Sequence, residues 1–345
     1  MVQAQSRLGL EADLAHVLDH TRDVWRNLDG ARLFITGGTG FFGRWLLASL
    51  LAARVDLGSR VSATVLTRNS RAFAASFPEL SSDPAIAFLD GDVRDFEPPG
   101  GFFTHIIHAA TPADAAFNRD HPREMFETIV QGTTRVLDFA AECGAGAVLL
   151  CSSGAVYGRQ PPEVERIAED FNGGPDPLST TSAYAEGKRA AEFLASASGL
   201  EVKIARGFAF VGPFLPLETH FAIGNFLGDA LAGRTIRISG DGSPYRSYLH
   251  AADLAIWLWT ILARGAAGRA YNVGSEEAVS IGELAERVRR IVAPEIGIEI
   301  ARQYDPSLPA QRYVPSTARA RAELGLQQWI TLDDAIRRTA AWHRR

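Results

Sequence analysis

A glycine-rich loop near the start of the chain separates two apolar segments. The run 32–36 predicts a buried strand and the segment 45–51 predicts a helix, with the glycines between them. Glycines in this context permit a tight turn, allow the backbone to approach a pyrophosphate, and let the helix, with its partly positive N-terminus, pack closely. The context predicts a dinucleotide site for NAD or NADP. The loop residues expected to contact this cofactor are Gly37, Gly40, Phe41, Phe42 and Gly43.

Apolar runs alternate with helical segments through the first two-thirds of the chain. Each run is short and bounded by turn residues, as expected for strands that are buried on both faces. This alternation predicts an α/β fold with a Rossmann-type, doubly wound parallel sheet. Long helices are expected at 123–143 and 182–197. The strand-like runs lie at 61–66, 86–89, 104–108, 147–150 and 202–205.

Glycine and proline interrupt the chain repeatedly after Arg206, which predicts a smaller C-terminal lobe that closes over a ligand. We therefore expect three parts. Residues 1–30 form an N-terminal helical extension, and residues 31–206 form the dinucleotide-binding Rossmann domain. Residues 207–345 are mainly a substrate-binding lobe, with some segments returning to the Rossmann core.

Composition limits the partners and the compartment. The 345 residues are 46% apolar, which is ample for a large core, and the net charge of −5 gives no basic field for nucleic acid. Cys143 and Cys151 are the only cysteines, and no histidine–cysteine cluster has metal spacing, so neither disulfides nor a metal site are expected. No apolar stretch is long enough to span a bilayer, and the acidic first 30 residues do not resemble a signal peptide. We expect a cytoplasmic protein with a small-molecule substrate, and no membrane partner.

A serine, a tyrosine and a lysine further along the chain suit acid–base chemistry. Tyr184 and Lys188 are four residues apart in a helix-compatible segment, so their side chains project from one face about one turn apart. Because a nearby ammonium favours the phenolate, Lys188 is expected to lower the pKa of Tyr184 and make it a general base for a hydroxyl, or an acid for a carbonyl. Ser153 follows an apolar run, which places it at the carboxyl end of a strand, where ligands bind in open α/β sheets.

Residues after the next three predicted strands are candidates for further cofactor contacts. A fold that prefers NAD usually places a carboxylate after its second strand, whereas this chain has Thr67 and Arg68 there. Arg68 therefore favours the 2′-phosphate of NADP, unless it is a solvated loop cation beside an NAD site. The other candidates are Asp92 and Val93 after the third strand, and His108, Ala109 and Ala110 after the fourth.

These motifs together resemble the extended short-chain dehydrogenase/reductases, in the branch of NAD(P)-dependent sugar epimerases and dehydratases. The resemblance implies a Rossmann fold and an enzyme that retains and recycles NAD or NADP while acting on a nucleotide sugar or nucleoside. It also implies a homodimer formed through the two long helices. The resemblance runs from about Arg32 to Arg338, through the glycine loop, Asp90-Gly91-Asp92, His108-Ala109-Ala110, Ser153, Tyr184 with Lys188, Gly212-Pro213, Arg246-Ser247-Tyr248-Leu249-His250 and Tyr271-Asn272-Val273-Gly274-Ser275.

The same resemblance implies roles for individual residues. Ser153 would hydrogen-bond the reacting oxygen, Tyr184 would be the acid/base, and Lys188 would bind the nicotinamide ribose. Arg246 would grip a substrate diphosphate, unless it is a surface ion-pair partner. The other implied substrate contacts are Gly154, Glu218, His220 and Asn225, of which His220 has an equal claim to be a structural histidine.

Departures from the family pattern bear on the reaction. Hexose 4,6-dehydratases of the family carry Asp-Glu directly after the serine or threonine, and sugar-acid decarboxylases carry Glu there, whereas this chain has Gly154-Ala155. Two further positions that are Asn in the family pattern are Ile129 and Ala209. The pocket therefore differs from that of the commonest galactose-type epimerases.

Three reactions remain open from the sequence. The favoured one is a redox-neutral epimerase, in which Tyr184 removes a hydroxyl proton while the nicotinamide takes the hydride, and the transient ketone is then re-reduced. The main alternative is a dehydratase of unusual regiochemistry on a nucleotide sugar or nucleoside, with Glu218 or His220 replacing the missing acids. A simple NAD(P)-dependent dehydrogenase or reductase is the second alternative.

Overall fold

The computed structural model describes residues 8–112, 115–218 and 221–345. Its strands are β1 (Arg32–Thr36), β2 (Ser62–Thr67), β3 (Ile86–Asp90), β4 (His105–His108), β5 (Ala147–Ser153), β6 (Val202–Gly207), β7 (Phe210–Val211), β8 (Ile236–Ile238), β9 (Tyr245–Arg246), β10 (Leu249–His250), β11 (Ala270–Val273), β12 (Val279–Ser280), β13 (Ile298–Ile300) and β14 (Arg312–Tyr313). Its helices are α1 (Glu11–Asn27), α2 (Phe41–Asp56), α3 (Ser70–Ser76), α4 (Pro78–Ser81), α5 (Ala115–Asp120), α6 (Pro122–Glu142), α7 (Ala183–Ala197), α8 (Ala222–Leu231), α9 (Ala251–Arg264), α10 (Ile281–Val292), α11 (Ala318–Leu324) and α12 (Leu332–His343).

The central sheet has seven strands in the order β11-β6-β5-β4-β1-β2-β3. β1 is parallel to both of its neighbours, with Thr36 in register with Leu66 of β2 and with His108 of β4. The β2–β3 and β4–β5 pairs are parallel as well. The strand order reverses between β1 and β4, and in open α/β sheets a ligand crevice forms at this point, outside the carboxyl ends of the strands. The predicted Rossmann-type α/β fold is confirmed.

Aromatic side chains fill the core beneath this crevice. The last four residues of β1 are all buried. Phe34 contacts the rings of Phe96, Phe103 and Phe139 at centroid distances of 5.3, 5.6 and 4.8 Å. Each such contact adds about 0.5–1.5 kcal/mol beyond the apolar area that it buries. α6 and α7 pack against each other, and α7 also packs on β5, so the core fixes the relative positions of strand end and helix.

Small differences between predicted and observed elements have local causes. The apolar run 147–150 predicts only the start of β5, which continues through Ser153. Ser152 and Ser153 are buried but polar, so a pattern of apolar residues does not detect them. α6 begins at Pro122, one residue earlier than predicted, because proline is favoured in the first helical turn.

The chain forms two compact units. The first comprises Met1–Val156, Asp176–Arg206 and Ala255–Tyr271. Within it α1 packs on α2, and the Trp25 and Trp259 rings lie 4.7 Å apart between centroids. The second unit comprises the remaining segments, Tyr157–Pro175, Gly207–Leu254 and Asn272–Arg345.

Short sheets organise the second unit. β9 pairs with β12 in antiparallel and with β14 in parallel orientation, and the β8–β13 and β7–β10 pairs are parallel. α10 begins with a capping box, in which Ser280 and Glu283 each accept the backbone N–H of the other. Among the described residues, no helix combines the length and the apolar character needed to cross a membrane.

Candidate active site

Ser153, Tyr184 and Lys188 come together within the first unit. Ser153 ends β5, where the chain enters the 3-10 turn Gly154–Tyr157, and the other two residues lie one turn apart on α7. The side chains of Ser153 and Tyr184 share a hydrogen bond, and Ser153 Oγ also accepts the Ala155 N–H at 3.1 Å. Lys188 Nζ lies 5.9 Å from the centre of the Tyr184 ring. The strand end and the helix thus place a pair of hydroxyls beside an ammonium.

Burial controls the acidity of Tyr184. Removal from solvent raises the pKa of its phenol above the usual value, and the hydrogen bond from Ser153 opposes this rise by favouring the phenolate. The sequence predicts that Lys188 lowers this pKa, and the structure corrects the prediction, because Ser153 is the lowering group and the net direction is upward. At neutral pH the phenol is therefore protonated, which suits proton donation to a carbonyl.

The Lys188 side chain is enclosed by protein, with 4% of the residue exposed. Its ammonium donates to the Thr111 hydroxyl at 2.7 Å and to the Cys151 carbonyl at 2.8 Å. Burial lowers its pKa to about 8, and the Cys151 and Glu192 side chains partly oppose the shift. Lys188 therefore carries its charge at neutral pH and loses it as the pH rises past about 8.

The glycine loop is folded tightly against the end of β4. Gly37 has a φ of 73°, in the left-handed region that favours glycine, and a Cβ there would lie 2.5 Å from the carbonyl carbon of Ala109. The Gly40 N–H donates to the Gly37 carbonyl at 3.1 Å, and α2 begins directly afterwards at Phe41. A Cβ on Gly43 would collide with the loop backbone. The closeness of the backbone and the position of the helix N-terminus fit the pyrophosphate of a dinucleotide.

At the carboxyl ends of β2 and β3 the carboxylates are already engaged. Asp90 accepts from the backbone N–H and the hydroxyl of Ser70 at 2.7 and 2.9 Å. Asp92 is held by the Arg94 guanidinium at 2.8 and 3.0 Å, and these hydrogen bonds lower its pKa. Arg68 is exposed and makes no hydrogen bond or ion pair with the described part of the chain. Of the charged side chains named here, Arg68 is therefore the one that is left for a ligand to pair with.

His108 is buried and is hydrogen-bonded through both ring nitrogens. Nδ1 lies 2.7 Å from Thr36 Oγ1, and Nε2 lies 3.1 Å from Thr133 Oγ1. The Thr133 hydroxyl donates to the Ile129 carbonyl, so it accepts from Nε2–H, and Nδ1 accepts from Thr36. Burial, helped by the charge of Lys188, lowers the His108 pKa to about 3, so the ring stays neutral. The imidazole thus links the end of β4 to the end of β1 and to α6 by hydrogen bonds.

The sequence does not predict the largely buried ion pair between Glu192 and Arg206, which lies next to Ser152. Glu192 lies one turn after Lys188 on α7 and accepts from the Ser152 hydroxyl at 2.5 Å. It also accepts from Arg206 of β6 at 2.7 and 3.0 Å, and the Arg206 and Glu192 side chains are only 16% and 12% exposed. The sequence indicates Glu192 through its spacing, because Tyr184, Lys188 and Glu192 are four residues apart in turn and so share one helix face.

Arg246 lies on β9 in the second unit. Its guanidinium donates to the Tyr245 carbonyl at 2.8 Å and lies 6.0 Å from the ring centre of Tyr313, its register partner on β14. The two acidic residues close to it in sequence are engaged elsewhere, because Asp241 caps its own turn and Asp253 accepts two backbone N–H groups. Within the described ranges, Arg246 therefore forms no surface ion pair.

The remaining candidates are placed as follows. Gly154 begins the 3-10 turn after β5, and Val93 packs against the core of the first unit. Glu218 and Asn225 are exposed in the second unit, Asn225 on α8. His220 lies outside the described residues. In the described part of the chain, no group of three or more His, Cys, Asp or Glu residues could hold a metal ion.

A surface cavity of about 870 Å³ in the second unit lies between α10 and the start of α12. Its lining is mostly charged, but the charges pair with one another. Arg287 binds Glu277 at 2.6 Å, and Arg290 binds Asp333 at 2.9 Å. Because these charges are already compensated, the cavity is a weaker candidate for a charged ligand than the strand ends of the first unit.

Comparison with known proteins identifies the family. Residues 33–274 match the model of the NAD dependent epimerase/dehydratase family. The chain belongs to this family. UDP-glucuronic acid decarboxylase 6 of Arabidopsis thaliana is 29% identical over 312 residues, which cover 88% of this chain and 86% of that protein. UDP-glucuronic acid decarboxylase 1 of Danio rerio is 29% identical over 323 residues, which cover 92% and 73%.

Solved structures of epimerase/dehydratase family members share the fold. DesIV, a dTDP-glucose 4,6-dehydratase from Streptomyces venezuelae with NAD bound, has a TM-score of 0.76 at 27% identity, covering 91% of this chain and 97% of that one. The UDP-glucose 4-epimerase of Thermotoga maritima has a TM-score of 0.73 at 19% identity, covering 91% and 98%, and at this identity the likeness concerns the fold alone. The protein is thus an enzyme of an NAD-dependent family whose members differ in reaction.

Proposed function

We propose that this family member is a redox-neutral NAD(P)-dependent epimerase that acts on a nucleotide sugar through a transient ketone. The observation that carries the proposal is the Ser153, Tyr184 and Lys188 group at the end of β5, followed directly by Gly154 and Ala155. The first three residues support oxidation and re-reduction of a carbinol, whereas the two that follow offer no acid to expel a second group. The named relatives, which act on UDP- and dTDP-sugars, support the substrate class.

Tyr184 carries the proton in this proposal. For oxidation, Tyr184 first gives up the phenol proton that it carries at neutral pH, and its phenolate oxygen then takes the proton of a substrate hydroxyl and returns it during re-reduction. Ser153, which hydrogen-bonds Tyr184 in the absence of substrate, turns its hydroxyl proton to the same substrate oxygen and holds that oxygen within reach. Bound NAD supplies the hydride acceptor and donor. Lys188 holds the nicotinamide ribose through the N–H that its protein partners leave available.

Inversion requires the ketone to present its other face while the nucleotide stays bound. The Arg246 guanidinium, which has no ion-pair partner among the described residues, suits the oxygens of a diphosphate. Glu218, His220 and Asn225 are further proposed contacts to sugar or diphosphate. If the enzyme holds the diphosphate and not the sugar, the sugar is free to turn between the two hydride transfers.

Two alternatives have specific support. DesIV is a dehydratase, and a dehydratase here would need Glu218 or His220 in place of the missing acids. The Arabidopsis and Danio relatives are decarboxylases, and oxidation beside a sugar carboxylate favours loss of carbon dioxide. A simple dehydrogenase or reductase would instead consume added cofactor steadily.

Product analysis separates these reactions. The purified protein is incubated with UDP- and dTDP-sugars, the corresponding sugar acids and nucleosides, with no added reductant, and the products are examined by chromatography and mass spectrometry. We expect a product of unchanged mass and altered retention. Loss of water or of carbon dioxide would replace the epimerase by a dehydratase or a decarboxylase. If deuterium at the reacting carbinol never appears on bound NAD(P), the shared redox mechanism is wrong.

Arg68 supports a finer proposal, that this site accepts NADP as well as NAD. Charge-assisted hydrogen bonds contribute about 1.5–3 kcal/mol, so Arg68→Ala is expected to weaken NADP binding about tenfold or more and to leave NAD binding nearly unchanged. Isothermal titration calorimetry measures both affinities. Arg71→Ala, at an exposed arginine on α3, is the matched control. Equal losses for NAD and NADP in the Arg68 variant would leave no role for a 2′-phosphate.

The homodimer also remains a proposal. α6 and α7, which pack on each other, each expose a phenylalanine, Phe126 at 37% and Phe193 at 71%. The proposal that two copies associate through these helices rests on the family resemblance and on these two exposed rings. The molar mass in solution, from light scattering, would be twice that of the chain, and a monomer at all concentrations would exclude this arrangement.

A further inference from the structure

The Thr111 hydroxyl lies between the Lys188 ammonium and the backbone after β4. Lys188 Nζ donates to Thr111 Oγ1 at 2.7 Å, and Thr111 Oγ1 donates to the Ala110 carbonyl at 2.7 Å. A hydroxyl has one proton, so with that proton directed to Ala110 its oxygen acts as an acceptor for Lys188. The Cys151 carbonyl accepts a second ammonium proton at 2.8 Å. Two of the three N–H directions of Lys188 therefore have fixed protein partners.

The segment that carries this hydroxyl is itself anchored. The Ala110 N–H donates to Thr36 Oγ1 at 3.2 Å, and Thr36 donates to His108 Nδ1 at 2.7 Å. His108 Nε2–H then reaches Thr133 of α6 at 3.1 Å. Each hydroxyl in this chain of hydrogen bonds has one proton, so its donor and acceptor roles are fixed, as they are for the His108 ring. Hydrogen bonds thus connect Lys188 to α6 through the ends of β4 and β1.

We propose that Thr111 is a positioning residue for Lys188: together with the Cys151 carbonyl, its hydroxyl holds the ammonium so that one N–H remains for a ligand. The proposal rests on contacts within the chain and does not depend on the proposed reaction. A buried ammonium needs acceptors, because burial destabilises the charged form more than the neutral one. Loss of the Thr111 acceptor therefore destabilises only the charged state of Lys188.

Among the residues that the structure describes, four titratable groups lie around Lys188. They are Tyr184 and Glu192 on the same helix, Cys151 on β5 and His108 on β4. His108 stays neutral through the range of interest, and Glu192 is engaged in its ion pair. A change in Lys188 ionisation after substitution of Thr111 therefore reports mainly on the lost hydroxyl.

The composition of the chain makes this change directly measurable. Lys188 and Lys203 are its only lysines. Lys203 is also buried, and it donates to the Leu262 carbonyl at 2.7 Å, so it serves as an internal reference. Protein labelled with carbon-13 at the lysine ε-carbon gives two lysine signals, assigned with Lys203→Arg. A pH titration of these signals follows each ammonium without substrate or cofactor.

In wild-type protein the Lys188 signal is expected to titrate near pH 8. In Thr111→Val, which keeps the branched shape and removes the hydroxyl, the midpoint is expected to fall by about one pH unit, a tenfold change in protonation. Thr111→Ala should shift it in the same direction, and Thr111→Ser should restore it. The Lys203 signal and the melting temperature serve as controls for the fold.

Two results would overturn the proposal. In the first, the Lys188 midpoint is unchanged in both Thr111→Val and Thr111→Ala. In the second, the Lys188 midpoint shifts as far in Thr111→Ser as in Thr111→Val and Thr111→Ala, which would show that the shift comes from altered packing. Because the measurement uses protein without substrate, either result leaves the epimerase proposal untouched, and a failure of that proposal leaves this measurement intact.

Discussion

Tyr184→Phe is expected to lower turnover about a thousandfold while leaving NAD binding nearly unchanged. The substitution removes the phenol oxygen, the atom proposed to take and return the substrate proton, and general acid–base catalysis contributes about 10²–10⁴-fold. The ring remains, so the packing of α7 on β5 is preserved. Single-turnover reduction of bound NAD by the nucleotide sugar measures the chemical step, and calorimetry measures cofactor affinity.

Tyr157→Phe is the matched control for this experiment. Tyr157 is buried, whereas Tyr184 is partly buried, and the Tyr157 hydroxyl donates to Asn272 at 2.7 Å within the second unit. Its loss should cost about 1 kcal/mol in the free energy of unfolding and should leave turnover largely intact, because no substrate proton is assigned to it. A Tyr184→Phe enzyme that reduces bound NAD as fast as wild type would transfer the acid/base role to another group.

The features that sequence patterns identify here are those set by local backbone geometry. The glycine loop requires backbone that only glycine permits, as the φ of Gly37 and the closeness of Ala109 show. The four-residue spacing of Tyr184 and Lys188 fixes a common helix face. A strand, a loop and a helix in this order predict where the ligand crevice lies. Parallel strands align their carboxyl ends, and the crevice forms outside these ends where the strand order reverses.

Features that depend on burial and on distant pairing are not visible in such patterns. The upward shift of the Tyr184 pKa follows from desolvation, which spacing does not report. The contact between Thr111 and Lys188 joins residues 77 positions apart, and its geometry depends on the alignment of β4 with α7. The sequence predicts a cofactor contact at His108, but it gives no sign that the His108 ring forms hydrogen bonds with Thr36 and Thr133.

Glu192→Gln is expected to reduce the free energy of unfolding by about 3 kcal/mol, because it leaves the Arg206 charge buried without its counter-ion. The change also disturbs the hydrogen bond from Ser152, which neighbours Ser153. Denaturant unfolding measures the loss. Glu127→Gln is the matched control on α6, because Glu127 forms an exposed pair with Arg123, and solvent-exposed pairs contribute little to stability.

The double variant Glu192→Gln with Arg206→Met separates the cost of an unpaired charge from the value of the pair. If the unpaired Arg206 causes the loss, the double variant should recover much of the stability, since an apolar replacement needs no counter-ion. Glu192 also favours the charged form of Lys188, so its neutralisation should lower the Lys188 pKa further below the wild-type value of about 8. A single variant as stable as wild type, with Lys188 titrating unchanged, would mean that this ion pair supports neither the fold nor the site.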